Sequence, residues 1–134
     1  MTNQNFKILN ILLWISQILL AFMFIMVGFM KTSQSIEELA KMLPWVTSYP
    51  YLIRFIGISE LLGGIGLILP SLLRIKTFLT PLAASCLAFV MVLASAFHIF
   101  RGEISSIGVN FIILAIAIFI AWGRTKKVII ESKL

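Results

Sequence analysis

The chain has 134 residues, of which 60% are hydrophobic and only 12% charged, and its mean hydropathy is +1.08. A soluble domain carries about 25% charged residues, so there is too little polar surface here to coat a globule in water, and the solvent has to be lipid. The net charge of +6 does not point to nucleic acid, because the basic residues stand singly between apolar runs or gather in the closing stretch GRTKKVIIESKL, as loop charges that orient a membrane protein and meet anionic headgroups do.

In chain order, the first apolar run is Ile8 to Met30. It is too long for a signal-peptide core and no small-residue cleavage site follows it, so it reads as a retained span. The connection Lys31 to Tyr51 is the longest of the three. Within it SQSIEELAKML has a Ser N-cap, Glu37 and Glu38 in the first turn and apolar Ile36, Leu39, Met42 and Leu43, which predicts a short amphipathic helix on the outer membrane face. Trp45, Tyr49 and Tyr51 follow as headgroup-level anchors. The second span is Leu52 to Leu69, ended by Pro70. The third is Thr77 to Ile99, with Pro81 in its first turns and Cys86 as a small buried side chain; a lone cysteine can form no intramolecular disulfide. The fourth, Ile107 to Trp122, follows the polar turn FRGEISS. The predicted fold is all-α: a single domain, residues 1–134, forming a polytopic membrane bundle of four transmembrane helices.

With four spans, the N-terminus, the middle loop and the C-terminus share one side. That side holds Lys7, Arg74, Lys76, Arg124, Lys126, Lys127 and Lys133, against Lys31, Lys41, Arg54 and Arg101 on the other. The more basic side is expected to be cytoplasmic, with both termini inside. On this topology the polar residues converge on the outer half. Lys31 closes the first span, Arg54 and Glu60 lie in the second, His98 ends the third before Arg101 and Glu103, and Asn110 opens the fourth. The inner half is expected to be nearly pure hydrocarbon apart from Ser16, Gln17 and Ser71.

Glu60 is the sharpest feature, because an ionised carboxylate inside a span costs several kcal/mol unless it protonates or pairs with a cation. Lys31, Arg54 and His98 are the candidate partners. Gly57, Gly63, Gly64 and Gly66 surround the acid in sequence and predict close helix approach. Two roles are open for Glu60 and His98: an anchor that fixes helix register, or a proton-handling or ligand-contacting pair. One histidine with scattered carboxylates does not complete a metal site.

The stretches ISELLGGIGLILP, TPLAASCLAFVMVLASAFHIFRGE and NFIILAIAIFIAWGR resemble the DoxX-like family of small four-helix membrane proteins. Glu60, Pro70, Pro81, His98, Arg101, Glu103 and Asn110 occupy the family's pattern positions, and Gly28 and Lys31 match the end of its first span. The resemblance implies a four-helix membrane protein, usually in the bacterial cytoplasmic (inner) membrane. It also implies association with membrane redox complexes such as quinol oxidases, or with assembly of other membrane proteins, as in an animal relative that chaperones nicotinic receptors.

Two functional readings stand ahead of a third. The first is a non-catalytic accessory or assembly subunit with no intrinsic cofactor, contacting the bilayer and either other membrane proteins or further copies of itself. The second is a quinone- or lipid-binding component of an electron-transfer system, with Glu60 and His98 at the headgroup. A small transporter with Glu60 as carrier is the third, disfavoured by the hydrocarbon inner half.

Overall fold

The computed structural model describes residues 1–133. It contains five α-helices, α1 (Asn3–Ser33), α2 (Ile36–Met42), α3 (Pro50–Leu73), α4 (Leu79–Phe100) and α5 (Ile107–Trp122), with short 3-10 turns at Pro44–Thr47 and Ile104–Ser106. Four helical segments, Asn3–Ser33, Pro50–Leu73, Leu79–Phe100 and Ile104–Lys127, are long and apolar enough to cross a membrane. The chain is an integral membrane protein.

Local chemistry sets the boundaries. The Thr2 hydroxyl accepts from the Asn5 amide, and the Ser35 hydroxyl accepts from the Glu38 amide, so each satisfies an otherwise unpaired N–H at a helix start. Pro50 opens α3, where its missing N–H costs nothing. Pro70 does not end that helix. α3 continues one further turn to Leu73 and stops at Arg74, which takes the left-handed conformation (φ 56°) and donates its amide to the Pro70 carbonyl. A proline there forfeits its own bond to the preceding turn and crowds the carbonyl four residues back, a local cost that α3 bears without ending. Pro81 is the third residue of α4, among the N–H groups that have no intrahelical partner anyway.

The helices alternate in direction. One end of the molecule therefore carries α2, and the opposite end carries both termini and the α3–α4 turn. α1 buries a stripe of Leu13, Gln17, Leu20, Ala21, Phe24 and Gly28 at three- and four-residue spacing. This stripe meets α3, and the two backbones come close: a Cβ built on Gly28 would lie 2.7 Å from the Gly57 carbonyl oxygen and 2.8 Å from the Leu61 amide nitrogen. Gly64 faces Ala21 and Ile25 further along the same seam. On the other side of α3, Gly63 receives the Leu87 side chain and Gly66 receives Ala83 of α4. Leu87 and Met91 of α4 join Ile113, Ala117 and Ile120 of α5 in the main core. Gly123 accepts the tip of Leu13, bringing the end of α5 back to α1. The outward faces are apolar, with Phe22, Phe29, Phe55, Phe89 and Ile112 among the exposed residues, as lipid requires.

The connection after α1 folds onto the helices. Leu39, Trp45, Val46 and Ile53 form a second buried cluster, with Met30, Ile56 and Phe97 packed against it. Trp45 is thus buried rather than a headgroup anchor, and its ring meets Phe97 edge-on at 5.0 Å. Tyr49 and Tyr51 are exposed. Cys86, expected to be buried, is exposed on the outer face of α4. The stripe that α4 buries runs Thr80, Ala84, Leu87, Met91 and Ser95, and residue 86 falls off it.

Candidate functional site

The polar residues gather at both ends. At the α2 end, Lys31 Nζ donates to both carboxylate oxygens of Glu60, at 2.9 and 2.8 Å. The Glu60 side chain is 4% exposed and that of Lys31 14%. Lys31 stands one turn beyond Gly28 and Glu60 one turn beyond Gly57 on helices that run in opposite directions, so the ion pair bridges the closest crossing of α1 and α3, with Lys31 beside Gly57. Of the three candidate cations, Lys31 is the partner. Arg54 instead donates from Nη1 to the Lys31 backbone carbonyl at 2.7 Å. That carbonyl is in the last turn of α1 and lacks an intrahelical donor, so Arg54 caps the helix whose side chain holds the acid.

His98 also pairs elsewhere. Its Nδ1 lies 2.7 Å from Glu103 Oε2, while Arg101 Nε donates to Glu103 Oε1 at 2.9 Å. An ionised carboxylate only accepts, so Nδ1 carries the proton in this contact. Gly102 makes the reversal between them with φ 74°, and the Glu103 amide donates to the His98 carbonyl at 2.9 Å. The three side chains lock the turn from α4 to α5. The His98 hydrogen bond, then that of Arg101, holds the Glu103 carboxyl below the usual carboxylate range. A lowered folded-state value means that this pairing contributes stability above the ordinary carboxylate range and loses it as pH falls through the folded value. Amide exchange at Glu103 is therefore expected to accelerate as the pH is lowered through that range, and Glu103→Gln is expected to remove the dependence. An unchanged pH profile in Glu103→Gln would show that the titration belongs to another group.

The α2-end residues therefore form two separate ion-paired groups, one on α1 and α3 and one at the end of α4. Asn110 joins neither. Its Nδ2 is buried without a partner, as are Ser95 Oγ and Trp45 Nε1. The four glycines near Glu60 all serve close packing: Gly57 and Gly64 against α1, Gly63 and Gly66 against α4.

The opposite end is not pure hydrocarbon. Arg124, which reads in sequence as a loop charge, is only 3% exposed. Its Nε donates to Gln17 Oε1 at 2.6 Å, and its Nη1 donates to Asn10 Oδ1 at 2.8 Å. Gln17 in turn donates from Nε2 to the Leu67 carbonyl at 2.6 Å, tying α1, α3 and the end of α5 together. The guanidinium also sits 5.2 Å above the Trp14 ring, a favourable cation–π arrangement. Ser71 Oγ donates to Thr80 Oγ1 at 2.7 Å between α3 and α4. The signal for this network was present in the first span: Asn10, Trp14 and Gln17 stand at i, i+4 and i+7, one polar stripe over two turns of an otherwise apolar helix.

The family model described as the DoxX-like family matches residues 15–120. No curated protein and no solved structure matches the chain.

Proposed function

The chain belongs to the DoxX-like family, and on that premise we propose that it is a non-catalytic accessory or assembly subunit of a membrane complex, housed in a bacterial cytoplasmic membrane with both termini inside. The observation that carries this reading is the closure of the α2-end charges upon one another: Glu60 on Lys31, Arg54 on the end of α1, and Glu103 on His98 and Arg101. An acid that carries protons or grips a substrate needs a coordination position left open. Glu60 has both oxygens engaged by one half-buried ammonium, an arrangement suited to fixing the register of α1 on α3 within a four-helix bundle. The lipid-facing groove between α3 and α4, with a volume of about 490 Å³ and walls that include Leu62, Gly66, Leu82 and Val90, gives a neighbouring transmembrane helix a close approach at small residues.

The three unpartnered atoms, Ser95 Oγ, Asn110 Nδ2 and Trp45 Nε1, favour a second reading, a quinone or lipid headgroup held at the α2 end. The two readings separate in a thermal-unfolding measurement with a short-chain quinone. On the accessory reading the quinone leaves the melting temperature of wild type where it is. A rise in wild type that disappears in His98→Ala or Asn110→Ala would replace that reading with the quinone site, since a ligand stabilises the state it binds.

A further inference from the structure

Among the buried described residues only Glu60 and Arg124 carry full charges. Glu60 has its ammonium. Arg124 has no carboxylate: its partners are the Gln17 and Asn10 amide oxygens and the Val128 carbonyl, all neutral. Its remaining nitrogen, Nη2, is buried with no hydrogen-bond partner. A buried guanidinium that lacks a counter-ion and leaves donors unused is costly, so the fold places a cation where an anion is missing.

Beside it is a space for one. A cavity of about 210 Å³ is lined by Arg124, Ser71, Thr77, Phe78, Pro81 and Thr125, with the apolar C-terminal segment along one side. Water occupies about 30 Å³ per molecule, so the cavity has room for a phosphate group. The segment beyond it is pinned in place. The Lys133 amide donates to the Arg74 carbonyl at 2.7 Å, the Lys76 amide donates to Ser132 Oγ at 3.1 Å, and Arg74 Nε donates to the Glu131 carbonyl. The left-handed Arg74 and Lys76 (φ 56° and 48°) shape the turn that receives it.

The charge distribution points the same way. The α2 end has four basic and four acidic residues, which balance. The terminal end has seven basic residues against Glu131 alone, so the whole net charge of +6 resides there. A basic cavity at the headgroup level of a membrane attracts anionic lipid, and a guanidinium recognises phosphate by paired N–H donors.

We propose that this cavity is a phosphate-binding site in which Arg124, with Thr77 and Thr125 on the same wall, holds a phosphate group that reaches it from an anionic phospholipid or from solution. The protein in a maltoside detergent is titrated with phosphatidylglycerol, with phosphatidylcholine and with inorganic phosphate, against chloride at equal ionic strength, and binding is followed by native mass spectrometry and by the melting temperature. Saturable stabilisation by phosphatidylglycerol at one molecule per chain is the expected result for a lipid source; stabilisation by inorganic phosphate alone assigns a soluble one. Arg124→Gln is expected to weaken binding about tenfold or more, as loss of a charge-assisted hydrogen bond requires. Because that variant also disturbs Asn10 and Gln17, Thr77→Val serves as a second test and is expected to weaken binding without touching the network. Lys126→Gln/Lys127→Gln, which removes surface charge and no cavity residue, is expected to bind within a few-fold of wild type. The proposal is overturned if no phosphate compound stabilises wild type above the chloride control. It is equally overturned if the paired lysine variant loses the binding while Thr77→Val keeps it, since the attraction would then belong to the surface.

Discussion

Lys31→Met is expected to destabilise the protein by about 3–5 kcal/mol, the usual cost of leaving one member of a buried ion pair alone. Glu60 has a side-chain exposure of 4%, and both its oxygens depend on the same ammonium, so no second cation takes over. Arg54 is occupied with the Lys31 carbonyl and His98 with Glu103. Glu60→Gln should cost less, because a lysine side chain can turn its ammonium toward the headgroups once the carboxylate is gone. The double variant Lys31→Met/Glu60→Gln should recover most of the loss seen in Lys31→Met. Unfolding in a mixed-detergent titration, measured over the four members of this cycle, reads the coupling directly. Additive losses would mean that the two residues do not stabilise the fold through each other.

The second large effect is expected from Gly28→Ala. The new methyl group would meet the Gly57 carbonyl oxygen at 2.7 Å and the Leu61 amide nitrogen at 2.8 Å. Both are backbone atoms, so no side-chain rotation relieves the contact and α1 must move away from α3. Overpacking of this kind costs about 1–3 kcal/mol. Gly63→Ala makes an instructive contrast: its methyl group would meet the Leu87 side chain at 2.6 Å, and a leucine tip can shift, so a smaller loss is expected. Because Lys31 and Glu60 reach each other across the Gly28–Gly57 crossing, the coupling energy between them should also shrink in a Gly28→Ala background. A coupling that stays at its wild-type value would detach the ion pair from the glycine seam.

The four spans were legible because length and hydropathy alone determine what crosses a bilayer, and the glycines of α3 announced close packing because nothing else explains them in a span. Glu60 was legible as an acid that had either to protonate or to find a cation. Its partner was not, because Lys31, Arg54 and His98 all fall at the same end of the molecule, and only the rotation of each helix decides between them. That rotation is set by the Gly28–Gly57 contact, which aligns Lys31 with Glu60. Arg124 was hidden for a related reason. A basic residue after the last apolar run looks like a solvated loop charge, yet the chain makes a π-helical turn over Gly123–Lys127, and Gly123 fits against Leu13, drawing the guanidinium inward to Gln17. Pro70 misled in the opposite direction, since α3 absorbs it and ends a turn later at Arg74.

The central claim is that the charges of the α2 end are structural and that the protein works through another membrane protein. Native mass spectrometry of the chain extracted gently from its own membrane tests this most directly. The expected spectrum contains a stoichiometric protein partner and no quinone, whether or not an anionic lipid is retained at Arg124. A chain that arrives without any protein partner but with one quinone per molecule would contradict the account, and would return Glu60 and His98 to the role of a ligand site.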